Sequence, residues 1–369
     1  MLNRPAARPA RPHFSSGPCA KPPGWSPDQI DTSVLGRSHR SALGKERLQL
    51  CIDLMRENLR LPDSHRIGIV PASDTGAFEM AMWSMLGARP VTCLAWESFG
   101  EGWVTDAVKQ LRLDPTIIRA DYGELPDLGQ VDWSSDVLFT WNGTTSGVRV
   151  PDGEWIAPDR GGLSFADATS AVFAYDIPWD KIDVATFSWQ KVLGGEGGHG
   201  VLILGPRAVE RLESFTPDRP LPKIFRLTKG GKLIEGIFTG ETINTPSMLA
   251  VEDAIWTLQW SQKLGGLDGL LARTEANAAA LDRIVADREW LGHLAQTPEI
   301  RSKTSVCLTV SGADPKRIAK LLEAEGVAFD IGGYRDAPPG LRIWCGATVD
   351  TADIEALGPW LDWAWEQCQ

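Results

Sequence analysis

The chain contains no apolar run close to the roughly 18 residues that a membrane-spanning helix needs, so no helical membrane anchor is expected. Histidine is scarce. The five present lie far apart and never form H-E-x-x-H, so no metal site built by the protein is expected. The six cysteines (19, 51, 93, 307, 345 and 368) are scattered without a C-x-x-C pair. They point to reduced thiols in a cytoplasmic protein rather than to a disulfide frame or a zinc centre. Positive charge is in deficit. A net charge of −11 argues against nucleic-acid binding. Near the start, Arg4, Arg8 and Arg11 lie among prolines and alanines without an apolar core segment, which is not the pattern of a secretory signal. Internal repeats are missing as well. What remains, 43% apolar and 23% charged over 369 residues, is the make-up of a globular enzyme long enough for two domains.

Lys191 is the most informative residue present. The run Val184-Ala185-Thr186-Phe187-Ser188 predicts a buried strand, which leads through Trp189-Gln190 to this lysine and then into a glycine-rich stretch, 194–200. Burial disfavours an ammonium ion, lowers its pKa and turns the amine into a nucleophile, as a Schiff-base lysine requires. A second predicted strand, within 162–169, ends in Asp167, 24 residues before Lys191. A carboxylate at a buried strand end needs a cation or several donors. A protonated pyridine nitrogen is such a cation, and pairing it keeps the ring an electron sink. Each residue alone has a plainer reading: Lys191 as a surface lysine, Asp167 as a helix N-cap. Gly195, Gly197 and Gly200 match G-x-G-x-x-G, but the motif must open a helix. Here a strand, Val201-Leu202-Ile203-Leu204, is expected next, which counts against a dinucleotide-binding dehydrogenase.

Strand-like and helix-like segments alternate through the first two thirds of the chain. A helix over 41–61 shows apolar residues at helical spacing, and Arg66–Pro71 reads as a short strand. Ala72-Ser73-Asp74-Thr75-Gly76 then joins that strand to a helix over 78–86, which makes an anion seat of free N–H groups. Further strands are expected at 91–95, 116–118 and 136–140, with a helix over 103–111. This rhythm predicts an α/β fold with a mainly parallel sheet and its site at the carboxyl ends of strands. After Pro246 the texture turns helical, broken at Gly265-Gly266. A smaller C-terminal α/β domain follows, with strands at 303–310 and 341–345 and a last helix over 351–367 that Pro359 is expected to kink or split. The resulting division is a flexible arm at 1–13, a large domain at 14–246 (its first residues can join the small domain), linking helices at 247–290, and a small α/β domain at 291–369.

Five segments, in this order, resemble the phosphoserine aminotransferase family, class V of the fold-type I pyridoxal-phosphate enzymes. They are Phe14-Ser15-Ser16-Gly17-Pro18, Ser38-His39-Arg40-Ser41, Trp189-Gln190-Lys191, Ile243-Asn244-Thr245-Pro246, and the pair Tyr334-Arg335 and Leu341-Arg342. The resemblance runs from Phe14 to the C-terminus. It implies a seven-stranded type of large sheet and pyridoxal 5′-phosphate (PLP) as cofactor, with Lys191 as the catalytic lysine. It also implies that Ser73, Asp74, Thr75 and Gln190 bind the cofactor phosphate, that Phe99 stacks on the ring with Trp103 as the competing candidate, and that Thr144 and Asp167 contact the ring system. Asn244 and Thr245 would come from the partner of a homodimer with shared active sites. His39, Arg40, Arg335 and Arg342 would bind substrate: Arg342 the α-carboxylate, the others the phosphate or distal carboxylate. The implied reaction moves the amino group of L-glutamate to 3-phosphohydroxypyruvate in serine biosynthesis, with a related 4-phosphohydroxythreonine reaction in vitamin B6 synthesis. The chain departs from the common pattern twice, with Asp74-Thr75 in place of a glycine–arginine pair and Tyr334 in place of histidine.

Three other readings compete: another class V enzyme (an alanine–glyoxylate-type aminotransferase or a cysteine desulfurase), a silent dimeric scaffold, and the dehydrogenase. A desulfurase needs a mobile reactive cysteine, and Cys345 falls inside a predicted strand.

Overall fold

The computed structural model describes residues 2–369. Helix α1 (Ala42–Asn58) starts at Ser41, whose hydroxyl accepts the Gly44 N–H at 3.1 Å. Its apolar stripe, Leu48, Cys51, Ile52 and Met55, is buried. Six short strands then alternate with two helices: β1 (Arg66–Pro71), α2 (Ser73–Met85), β2 (Val91–Ala95), α3 (Ser98–Thr105), β3 (Thr116–Arg119), β4 (Asp136–Thr140), β5 (Ser164–Asp167) and β6 (Val184–Ser188). Strand β7 (His199–Leu204) leads into α4 (Pro206–Ser214) and a two-residue hairpin, β8 (Thr228–Lys229) with β9 (Lys232–Leu233). Continuous apolar stretches such as β4, β6 and β7 are buried on both faces, as strands covered by helices must be.

The large sheet has the order β1-β7-β6-β5-β4-β2-β3. Strands β3, β2, β4, β5 and β6 are parallel, whereas β7 lies antiparallel between β6 and β1. Strand β1 therefore points the same way as β6. The last residues of β1, β2, β4, β5 and β6 gather at one edge of the sheet, where β7 begins with His199. In such sheets this edge is where ligands bind.

Helices α5 (Met248–Lys263) and α6 (Leu267–Ala286) are separated by Gly265 and Gly266, both at positive φ (99° and 69°). A small antiparallel sheet follows, β10 (Leu291–His293), β11 (Ser305–Val310) and β12 (Leu341–Trp344), in sequence order. Helices α7 (Pro315–Ala324) and α8 (Thr351–Cys368) complete this part. The segment expected as a flexible arm runs along it: Pro12 and Phe14 carbonyls accept the Phe329 and Trp344 N–H groups at 2.8 and 3.0 Å. Ala7 accepts the Trp360 indole N–H at 2.7 Å. Among the described residues no helix is long and apolar enough to cross a membrane.

Three local expectations are corrected. Helix α2 starts at Ser73, not near Phe78, so Ser73, Asp74 and Thr75 form its first turn. The helix expected from Trp103 begins at Ser98, because the Glu97 carboxylate caps it by accepting the Gly100 N–H at 2.9 Å. Helix α8 is a single helix with Pro359 inside it.

The turn into α2 is strained and tightly packed. Ala72 and Ser73 both have positive φ, 68° and 54°, which non-glycine residues rarely adopt. Both N–H groups donate to the Gly198 carbonyl, at 3.1 and 3.3 Å. A Cβ on Gly200 would lie 2.1 Å from the Ser73 carbonyl oxygen, so glycine is what lets β7 pass this turn. Gly200→Ala should therefore cost about 1–3 kcal/mol, the usual range for overpacking. A urea denaturation midpoint unchanged from the native protein would show that the turn yields without strain.

Candidate active site

Chain segments at the ends of five strands, β1, β2, β4, β5 and β6, meet in a cavity of about 340 Å³. Its wall is formed by the first turn of α2 (Ser73, Asp74, Thr75), the start of α3 (Phe99, Trp103), Thr140 at the end of β4, Thr144 beyond it, Asp167 at the end of β5, and Ser188, Gln190 and Lys191 at the end of β6. Of the fourteen residues expected to carry function, eight line this one cavity.

Lys191 lies three residues past the end of β6 rather than within it. Its ammonium nitrogen donates to the Ser16 carbonyl at 2.6 Å. The N-terminal segment is laid across it, with the Cys19 N–H bonded to the Gln190 carbonyl at 2.8 Å. A Cβ on Gly17 would sit 2.2 Å from Lys191 Nζ, so a side chain there would displace the amine. Burial pulls the Lys191 pKa below that of an ordinary lysine, and nearby Arg342 adds to the effect, against the opposing charge of Asp167.

Asp167 is 4% exposed. Its carboxylate accepts the Trp103 indole N–H at 3.0 Å and the Thr169 backbone N–H at 3.1 Å. Trp103 therefore serves as a donor to Asp167 beneath the cavity and packs on Phe78, ring centroids 4.5 Å apart. Phe99 is 39% exposed at the mouth, 5.8 Å centroid to centroid from Tyr334. The Arg342 guanidinium lies 5.7 Å from the same Tyr334 ring, and its Nε is buried without a hydrogen-bond partner.

The group that the resemblance implies, PLP, makes three demands: an amine, a carboxylate for its ring nitrogen, and a seat for its phosphate. Lys191 and Asp167 meet the first two. For the third, Asp74 and Thr75 offer their N–H groups at the start of α2, ahead of the bond from Gly76 to Ala72 that opens the helix ladder. The side-chain amide of Gln190 has its oxygen buried and unpaired. An amide's oxygen and nitrogen are interchangeable by a flip, so a donor can face an anion there. Asp74, Thr140, Thr169 and Ser188 likewise keep buried, unpaired oxygen atoms around the cavity. Buried polar atoms are costly when unpaired, and their concentration here fits a polar ligand. Thr144 is already engaged, its hydroxyl 2.5 Å from that of Ser170.

The remaining expected residues lie elsewhere. His39 and Arg40 line a separate recess of about 90 Å³ with Lys45, Glu241 and Thr242. Asn244 and Thr245 belong to the exposed turn that continues from it, where the Thr242 hydroxyl donates to the Asn244 carbonyl at 2.6 Å. Arg335 is exposed and pairs with Asp336 at 3.3 Å. A single subunit thus presents two sets of expected site residues, one at Lys191 and one at His39.

Several contributors were not foreseen. Ser16 holds the lysine, Trp103 and Thr169 hold Asp167, and buried Glu97 caps α3 while accepting the Thr145 hydroxyl at 2.6 Å. Glutamate is not among the preferred N-cap residues, so Glu97 three residues before Gly100 carries only a weak capping signal. The link from Trp103 to Asp167 spans 64 residues and leaves no local trace.

No family model matches the chain. The phosphoserine aminotransferase of Methanosarcina barkeri is 60% identical over 365 residues, covering 98% of this chain and 99% of the relative. Among solved structures, a phosphoserine aminotransferase from Cytophaga hutchinsonii superposes with a TM-score of 0.84 at 22% identity, covering 95% of this chain and 98% of the other. A PLP-bound phosphoserine aminotransferase from Trichomonas vaginalis does so with a TM-score of 0.75 at 18% identity, covering 95% and 99%. The structural likenesses establish the fold, and the 60% relative carries the family.

A low-pKa amine in a cavity should be chemically conspicuous. Treating the cofactor-free protein with a small aldehyde and borohydride is expected to label Lys191 ahead of surface lysines such as Lys109 and Lys263, with a half-maximal rate at lower pH. Uniform labelling across the lysines would show that Lys191 is an ordinary amine.

Proposed function

The chain belongs to the phosphoserine aminotransferase family, and from that premise we propose the following assignment of its residues to the family's reaction. The protein is a PLP-dependent transaminase that moves an amino group from L-glutamate to 3-phosphohydroxypyruvate, giving O-phospho-L-serine and 2-oxoglutarate. The carrying observation is the buried Lys191 amine facing a cavity whose floor ends in Asp167. The sequence identity over nearly the whole chain favours this activity over other class V reactions. The buried thiols of Cys19 and Cys307, each pushed up to about 12 by burial, and of Cys345, raised by burial as well, are poor candidates for the reactive cysteine of a desulfurase.

Bound PLP supplies a carbonyl carbon that condenses with amines and a ring that takes up the electron pair released at the substrate's Cα. Lys191 Nζ accepts the Cα proton and returns it as the amino group moves, which a lysine of lowered pKa can do near neutral pH. Asp167 presents its carboxylate to the ring nitrogen. The start of α2 and Gln190 seat the phosphate. Arg342 binds the α-carboxylate that both substrates share; its unpaired buried Nε and its place beside Tyr334 support this. Phe99, at the cavity wall, packs against Tyr334, ring centroids 5.8 Å apart. Arg335, free to leave Asp336, takes the distal phosphate or carboxylate.

His39, Arg40, Asn244 and Thr245 complete the site from a second subunit of a homodimer. His39 and Arg40 line one recess apart from Lys191, and Asn244 and Thr245 lie on the exposed turn just beyond its Thr242, which supports that reading. The large and small parts meet near residues 247–290, and the enzyme works in the cytoplasm.

A coupled assay with glutamate and a panel of keto acids, with and without phosphate groups, tests the substrate. Turnover is expected with 3-phosphohydroxypyruvate well above its unphosphorylated analogue; equal turnover would remove the phosphate specificity. Arg342→Leu should raise KM for both glutamate and 3-phosphohydroxypyruvate by about 10- to 150-fold, the value of a buried charge-assisted hydrogen bond. A loss confined to one substrate would reassign Arg342 to the distal group.

Mixing an inactive Lys191→Ala protein with an inactive Thr245→Ala protein should restore activity in heterodimers that hold one intact site. No recovery after subunit exchange would place Thr245 in its own subunit's site.

A further inference from the structure

Beside Asp167 the cavity holds a second buried carboxyl, Asp74, in the first turn of α2. It is 7% exposed and lines the cavity together with Asp167. The two residues come from different elements, the first turn of α2 and the end of β5, and line the same cavity. Their surroundings differ sharply. Asp167 accepts two N–H hydrogen bonds, from Trp103 and from the backbone of Thr169. Asp74 Oδ1 is buried and has no partner, and the nearby hydroxyl oxygens of Thr169 and Thr186 are unpaired too.

Two carboxylates that line one buried cavity, neither of them in an ion pair among the described residues, disfavour a second negative charge there. Other charged groups do not change the balance. Lys191 lies across the cavity with its own pKa lowered, and buried Glu97 adds a further acid near Asp167. His199, on β7 beside α2, turns instead to the Trp189 ring and the Ser247 N–H. The helix dipole at α2 favours an anion at Asp74, but burial and the Asp167 charge oppose it. They push the Asp74 carboxyl well above the usual carboxylate range.

We propose that Asp74 is a positioning residue: it keeps its proton, donates it as a hydrogen bond to Asp167, and so makes the pair carry a single negative charge located on Asp167. Donors on three sides then fix the Asp167 carboxylate: Trp103, the Thr169 N–H and Asp74. The cavity floor offers one anion to one cation. This deepens the proposed transaminase reading, in which that cation is the ring nitrogen, but the acid pair itself is a property of the cofactor-free protein.

The test therefore begins without cofactor. Infrared spectra of the cofactor-free protein at neutral pH should contain a carboxylic-acid C=O band that Asp74→Asn removes. In Asp167→Asn the band should titrate away at lower pH, because the neighbouring charge has gone. Stability supplies the second readout. A carboxyl whose folded pKa is raised holds its proton more tightly folded than unfolded, so its contribution is present below the unfolded value and is lost as pH rises through the folded value. The melting temperature of Asp74→Asn should therefore gain on that of the native protein as pH rises above about 4. Absence of the acid band, or parallel melting curves across pH, would overturn the pair and leave the transaminase reading intact.

In the loaded enzyme, Asp74→Ala should slow the single-turnover half-reaction with glutamate by about 10- to 150-fold, and Asp74→Asn, which keeps an N–H donor, should recover much of it. Equal loss in both variants would mean that Asp74 acts only through its backbone N–H or its packing. A native enzyme with no glutamate half-reaction would instead overturn the transaminase reading, while the infrared result stood.

Discussion

The site depends on the pairing of β6 with a parallel neighbour on one side and an antiparallel one on the other. Register with β5 sets Asp167 opposite Thr186, so the carboxylate arrives at the sheet edge two residues before β6 ends. Lys191 follows three residues beyond that end. Register with β7 brings Gly200 opposite Ser188 and into contact with the Ser73 carbonyl. One strand thus positions the Lys191 amine, the Asp167 carboxylate and the first turn of α2 relative to one another. None of the three can shift without breaking ladder hydrogen bonds in the middle of a buried sheet.

Electrostatics in this protein are local rather than global. The chain carries a net charge of −11 while its proposed substrates are anions. Long-range steering toward the site is therefore unfavourable, and the field must be reversed within the cleft itself. The arginine beside Tyr334, the lysine under Ser16 and the exposed amides of α2 do this over a short range. Most other arginines are committed to structure: Arg160 and Arg207 to Asp183, Arg211 to Asp136, Arg47 to Glu252. Those pairs hold helices and loops onto the sheet and leave few cations free to compete for ligand.

Much of this was legible in the sequence, for reasons that are local. Buried strands are written as short apolar runs, so β4, β6 and β7 could be placed within a residue or two. The strand-end aspartate and lysine were recognisable because charged residues rarely terminate such runs. The start of α2 was misjudged because it rests on Ala72 and Ser73 at positive φ, a conformation that no residue type there announces. Glycine would have; alanine and serine conceal it. The start of α3 was missed because a glutamate cap is a weaker signal than serine or aspartate. Contacts across the fold were illegible: Trp103 to Asp167, Phe99 to Tyr334, Ser16 to Lys191 each join segments that carry no shared pattern. Asp74 shows the limit most clearly. Its position suggested phosphate binding through the helix start, whereas its side chain turns inward to another acid.

The cover over Lys191 has a consequence for how the protein is made. Ser16 and Gly17 lie over the amine, and Phe14, just before them, is fastened by the Trp344 N–H on β12, with Pro12 fastened by Phe329. A chain leaves the ribosome from its N-terminus, so the covering segment is synthesised first but anchored last. Until Phe329 and β12 emerge, the cover lacks the bonds from Phe329 and Trp344 and rests on contacts such as those of Cys19 with Gln190 and of Ser16 with Lys191. Full fastening of the cover is thus tied to completion of translation.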